Sequence, residues 1–191
     1  MHFRDIGKGD IMTKWFKSSV RTLILMSSLL VALAPGYSQA ADFFDETFGN
    51  LQDELETAKE EGKQGIFLFF QMSDCPFCHR METTILNQPD VIKYYKKHFL
   101  AFSIDIEGSN EMTDFDGTTG TSQELSEKKY RVRATPVLMF VNLEGKRILR
   151  YTGPTRTKQE FMLMGQFIVD GAYKTTKFTR YKREHMKSIA P

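Results

Sequence analysis

Residues 66–78 read Ile-Phe-Leu-Phe-Phe-Gln-Met-Ser-Asp-Cys-Pro-Phe-Cys. The five apolar residues Ile66 to Phe70 have the length of a strand and no polar alternation, which is the pattern of a strand buried on both faces. Such a strand needs helices on either side of its sheet. Ser73 and Asp74 offer capping side chains and Pro76 suits a first helical turn, so a helix is predicted directly after the strand, with Cys78, Met81 and Ile85 on one stripe. The chain has only two cysteines, Cys75 and Cys78, and both fall at this strand-to-helix junction.

Upstream, Phe48, Leu51, Leu55 and Ala58 recur at helical spacing, predicting a helix from Asp45 to Glu61 that Gly62 ends. Downstream, Pro89 opens a helix through Val91, Tyr94 and Tyr95 to His98, and Leu100, Phe102, Ile104 and Ile106 alternate like a half-buried strand. Residues 107–120 read as a polar loop, long enough to be functional or mobile. Its Asp114-Phe115-Asp116-Gly117 invites a calcium reading, but Thr119 stands where glycine is needed and the twelfth position holds no glutamate, so no metal is assigned. Thr121 with Glu124 forms a capping-box pair for a short helix to Tyr130. Val137 to Val141 is a second continuous apolar strand, Arg147 to Tyr151 its hairpin partner, and Thr157 with Glu160 opens a last helix through Phe161, Met164, Ile168 and Ala172. Strands alternating with helices, then a hairpin, indicate an α/β domain whose mixed central sheet is flanked by helices on both faces, with an extra helix at the N-terminal end.

The first forty residues have a different grammar. Lys14, Lys17 and Arg21 precede an apolar stretch from Leu23 to Ala34, followed by Pro35-Gly36 and the small-residue pattern Ser38-Gln39-Ala40. This is the layout of a secretory signal peptide, with cleavage expected after Ala40, and the apolar stretch is too short to span a bilayer. Residues 1–11 fit no part of it, which makes Met12 a candidate start. The expected organisation is a removed leader at 1–40, a domain at 41–175 and a basic tail at 176–191, in the periplasm and without stable membrane insertion. The leader carries five basic and two acidic residues, so its loss takes the 26 basic and 24 acidic side chains to 21 and 22. A balance so close to neutral, without a basic stripe, argues against a nucleic-acid partner. The seven basic residues or histidines between Lys174 and Lys187 read as a solvated charged tail.

Two cysteines three positions apart close too small a loop to staple a fold, because little unfolded-chain entropy is removed. Redox chemistry, haem attachment and metal binding are the roles left. A cysteine at the start of a helix faces unpaired backbone N–H groups and the positive end of the helix dipole, which favour thiolate over thiol. Cys75 is therefore the expected nucleophile and Cys78, one turn further in, the resolving partner. Pro76, Phe77 and His79 are placed to tune the pair. Cys75-x-x-Cys78-His79 is also the attachment signature for c-type haem, but a buried strand directly before the motif and alternating elements after it favour redox chemistry. No cofactor is called for. In Arg133-Ala134-Thr135-Pro136-Val137, a proline is permitted as the first residue of a strand, either as a plain initiator or as a cis residue.

With Cys-Pro-Phe-Cys after one buried strand and Ala-Thr-Pro-Val-Leu-Met-Phe opening another, the chain resembles the thioredoxin superfamily. Within it, the chain looks most like exported, SoxW-like proteins of bacterial sulfur-oxidation and periplasmic thiol-reduction systems. The likeness runs from Asp45 to about Tyr173 and includes the Gly145-Lys146 hairpin. It implies that Pro136 is cis beside the cysteine pair and that the backbone of Thr135 pairs with an extended stretch of a disulfide-bearing substrate protein. It also implies a dithiol reductase recharged by a membrane thiol donor, with a thiol oxidase or disulfide isomerase as the alternative. The chain departs from cytosolic thioredoxins at Asp74, where they carry tryptophan, and at Phe69, where they carry a buried aspartate. In place of that base, His79, Glu82 or water would serve the resolving cysteine. The Pro-Phe pair is nearer to glutaredoxins.

Overall fold

The computed structural model describes residues 42–187. The predicted leader with its cleavage point, and the candidate start at Met12, lie outside the described residues. Among the described residues no helix is long and apolar enough to cross a membrane.

The apolar run forms β1, Gly65–Gln71, and it sits inside a four-stranded sheet of order β2-β1-β5-β6. β2, Phe99–Asp105, runs parallel to it; β5, Val137–Val141, runs antiparallel and is joined by a hairpin to β6, Arg147–Thr152. The sheet is mixed, as expected. Residues Ile66 to Phe70 are all fully buried. Their period of two divides them between two cores. Phe67 and Phe69 join one cluster with Tyr95, Phe140 and Phe161, while Ile66, Leu68 and Phe70 join the other with Leu51, Leu55 and Phe102. Burying each such side chain contributes roughly 1.5–3 kcal/mol, and β5 and β2 likewise divide their buried side chains between the two cores, so the three strands together hold both layers to the sheet. β1 begins at a glycine because a Cβ there would lie 2.3 Å from the Val141 carbonyl oxygen of β5.

The helices cover both faces. α1, Leu51–Glu60, lies on the second core, whereas α2, Pro76–Met81, α3, Pro89–His98, and α5, Lys158–Val169, supply the first. α2 continues as a π-helical turn, Glu82–Leu86, which keeps Ile85 and Leu86 buried. α4, Ser122–Glu124, carries the expected capping box and also continues into a π-helical turn, Leu125–Lys129. In the first core Tyr95 stacks on Phe161 at 4.4 Å between ring centroids, and its hydroxyl donates to the Phe161 carbonyl at 2.7 Å.

Three stretches differ from the sequence expectation. α1 starts at Leu51 and not at Asp45, because Asn50 caps it through Gln52 and Asp53 N–H while Asp45 is engaged by Lys96 and the Ala101 N–H. Phe48, which helical spacing assigned to the core, is consequently fully exposed. Residues 107–120 are not merely a loop: Glu111–Thr113 and Thr119–Thr121 pair as a small antiparallel ribbon, β3 and β4. The basic stretch read as a tail contains helix α6, Phe178–Lys187. Its Phe178 and Tyr181 pack on Phe167, and Lys182 reaches the buried carboxylate of Glu160.

Glu160 is a hub that its capping role does not reveal. Its carboxylate accepts from Tyr151 Oη at 2.9 Å, from Arg156 N–H at 2.9 Å and from Lys182 Nζ. Burial alone would push its pKa up, but these donors outweigh it and hold the group below its ordinary value of 4.5. A carboxylate with a depressed folded-state pKa stabilises the fold above its unfolded value, and that contribution is lost as pH falls through the folded pKa. Glu160→Gln is expected to cost about 1–2 kcal/mol at neutral pH, since a neutral amide holds the Tyr151, Arg156 and Lys182 donors more weakly while the partly exposed Lys182 ammonium stays screened by solvent. Urea denaturation of both proteins checks this: the gap between them should narrow as the pH drops below 4.5.

Candidate active site

β1 ends at Gln71, and four residues later Cys75 caps α2. Cys75 has an extended backbone, φ −129° and ψ 90°, and its sulfur accepts a hydrogen bond from the Cys78 N–H at 3.1 Å. This is one of the first-turn amides left without an intrahelical partner, and it acts on sulfur much as it would on a capping oxygen. Pro76 occupies the first helical position, where its missing N–H costs nothing. The Cys75 carbonyl still accepts from the His79 N–H at 3.0 Å, which locks the turn that carries both sulfurs.

Cys75 and Cys78 are joined as a disulfide with Cα atoms 5.2 Å apart. Both are buried, Cys75 at 6% exposure and Cys78 at 2%, so the order expected from helix position is kept by a narrow margin. Both belong to the core cluster that contains Phe69, which is fully buried. The interior side of the site is therefore apolar, without the carboxylate that an aspartate at Phe69 would provide. Around it Asp74, Phe77 and His79 are exposed and Glu82 is half-buried. Phe77, between the sulfurs, presents 57% of its surface to solvent.

The second predicted segment comes to the same end of the sheet. Phe70 pairs with Val137, so the start of β5 lies beside the end of β1, and Pro136 stands just before it. The Thr135–Pro136 peptide bond is cis. The Pro136 carbonyl accepts from the Gly153 N–H at 2.8 Å, while the Thr135 N–H and C=O have no hydrogen-bond partner among the described residues. Arg80 was not legible as a site residue. Its guanidinium donates to the Thr155 carbonyl at 3.1 Å and ties the cysteine helix to a segment 75 residues away, a contact that no local pattern announces.

A cysteine pair at bonding distance, with one sulfur held by a helix-start amide, can exchange a disulfide with another molecule. Residues 51–167 match the family model described as "Thioredoxin-like domain". In structure the chain is similar to a thioredoxin-fold protein from Helicobacter pylori, with 23% identity over 80% of this chain and 92% of that one and a TM-score of 0.60. It is also similar to a protein described as "DsbH Oxidoreductase", with 23% identity over 75% and 94% of the two chains and a TM-score of 0.51. At such identities these likenesses establish the fold. No curated protein matches the chain in sequence.

In the reduced protein, the Cys75 thiol is expected to titrate below the ~8.5 of free cysteine, because the Cys78 N–H and the helix start favour its thiolate. The buried Cys78, in apolar surroundings, should titrate above it. Thiolate absorbance against pH, compared between Cys78→Ser and Cys75→Ser, reads the two values separately; equal values would refute the asymmetry.

Proposed function

The chain belongs to the thioredoxin-like domain family, and from that premise we propose that it is an exported, periplasmic dithiol reductase of protein disulfides working through Cys75 and Cys78. The observation that carries the reading is the hydrogen bond from the Cys78 N–H to the Cys75 sulfur at the head of α2. It supports unequal tasks for the two sulfurs.

In the reduced protein the Cys75 thiolate attacks one sulfur of a substrate disulfide. The substrate S–S bond breaks, a Cys75–substrate mixed disulfide forms, and the released substrate thiolate takes up a proton. Cys78 then loses its proton and attacks the Cys75 sulfur. The Cys75–Cys78 bond closes and the second substrate sulfur leaves as thiolate. Two electrons have passed from protein to substrate, and a dithiol donor, for which we infer a membrane protein, restores the reduced pair. Thr135 and Pro136 would receive the substrate's extended segment, whose main chain would bond the open N–H and C=O of Thr135 and so tolerate many sequences. Pro76, Phe77 and His79 would tune the pair. With Phe69 where a buried acid would stand, His79, Glu82 or water would take the Cys78 proton. The signal-like leader supports export, and the same site run in the opposite direction would make a thiol oxidase or isomerase.

The variants Cys78→Ser and Cys75→Ser test the assignment. Cys78→Ser is expected to accumulate mixed disulfides with cell-envelope proteins on non-reducing gels, and Cys75→Ser to accumulate none. Equal trapping by both would reverse the roles. Equilibration of the wild-type pair against glutathione decides direction: a strongly oxidising potential would select the oxidase reading, with ~30 mV corresponding to ~1.4 kcal/mol.

A further inference from the structure

β2 is an edge strand, and its outward main-chain groups are only partly covered. Ala101 is covered on that side: its N–H donates to Asp45 Oδ2 at 2.8 Å and its C=O accepts from the Asp45 N–H at 2.7 Å. Ser103, two residues on, directs its N–H and C=O the same way, since strand geometry repeats every second residue. No partner for them is present among the described residues, and Ser103 is exposed.

The reason is the path of the preceding loop. It is pinned to β2 at Asp45 and pinned again at Gly49, whose carbonyl accepts from the Thr113 N–H of β3 at 2.8 Å. Gly49 has φ +88°, and a Cβ there would fall 2.7 Å from the Glu111 carbonyl oxygen. Held at both ends, Glu46 to Phe48 arch away from the strand and leave the Ser103 edge open. A groove of about 460 Å³ results, walled by this arch and by Asn110 to Met112. Phe48 stands fully exposed on its lip. No lysine, arginine or histidine lines it, and the carboxylates of Glu46 and Glu111 make no ion pair among the described residues.

Sheet edges are normally blunted by charge, proline or a covering segment, because an open edge invites another chain. We propose that this groove is a second docking site, which takes an extended segment of the redox partner by main-chain pairing to Ser103. An apolar side chain of that segment seats against Phe48, and cationic side chains lie beside Glu46 and Glu111. Lys96 neutralises only Asp45, and the net negative charge left by Glu46, Asp105 and Glu111 selects a basic segment over an acidic one. Gln71 lines the groove and ends β1, the strand that leads into Cys75, whereas Thr135 lies across β1 on the β5 side. The two docking positions would therefore flank the cysteine pair. Only the identification of the occupant as a redox partner rests on the oxidoreductase reading.

A short cysteine-free peptide alternating lysine with valine tests the groove on the oxidised, isotope-labelled protein, with a glutamate-for-lysine peptide as control. The lysine peptide is expected to shift the amide resonances of Ser103, Phe48 and Glu111, and the glutamate peptide to leave them in place. Phe48→Ala and the double variant Glu46→Gln/Glu111→Gln should each weaken binding about fivefold; these side chains are surface groups outside the core, so the fold is kept. An unmoved Ser103 amide, equal binding of both peptides, or unchanged affinity in both variants would overturn the proposal. Because the peptide carries no sulfur, such a failure would leave the cysteine chemistry standing, and a failure of disulfide trapping would leave the groove standing.

Discussion

Everything in this domain depends on one strand being apolar on both faces. β1 has to be covered above and below, which fixes a sheet between two helical layers, and its central place fixes where the chain emerges next. The cysteine pair inherits its position from that constraint. It stands at the end of a buried central strand, on a helix that packs into the same core through Cys78, Met81 and Ile85. A sulfur so placed moves little, and its helix-start hydrogen bond is therefore preorganised.

The same burial that anchors the site also shapes its chemistry. Phe69 shares the buried apolar cluster with the pair, which gives the site an apolar floor, and the Cys75 sulfur accepts its hydrogen bond from the helix side, from the Cys78 N–H. The polar groups lie on the outer rim, at Asp74, His79 and Glu82. The main chain of Thr135 and of Ser103 is without hydrogen-bond partners among the described residues, on the β5 and β2 sides of β1 respectively.

Farther from the sulfurs, the fold is closed by long-range polar contacts. Glu160 gathers Tyr151, Arg156 and Lys182 from β6, the α5 approach and α6, and so draws a basic C-terminal segment onto the domain. Asp114 does similar work near the small ribbon, where it is buried and engaged by Tyr130 and Lys129. These acids look like solvated surface in sequence because their partners are distant in the chain.

The sequence by itself determined what depends on local spacing. The two continuous apolar strands, the helix start at Pro76, the capping box at Thr121 and the helix from Pro89 to His98 all follow from patterns a few residues wide, since burial, φ restriction and capping act over one or two turns. For that reason the placement of Cys75 and Cys78 at a strand-to-helix junction is legible in the sequence, whereas the residues alone left Pro136 open between a plain strand initiator and a cis residue. Only the tertiary structure decided whatever required two distant segments to meet. Phe48 left the helical stripe because Asp45 and Gly49 are claimed by β2 and β3, the residues after Glu107 gained strands by pairing with each other, and the basic end became a helix once Glu160 and Phe167 gave it a face to bind. Hydrogen-bond and packing partners that lie far apart along the chain leave no periodic trace, and only the fold brings them together.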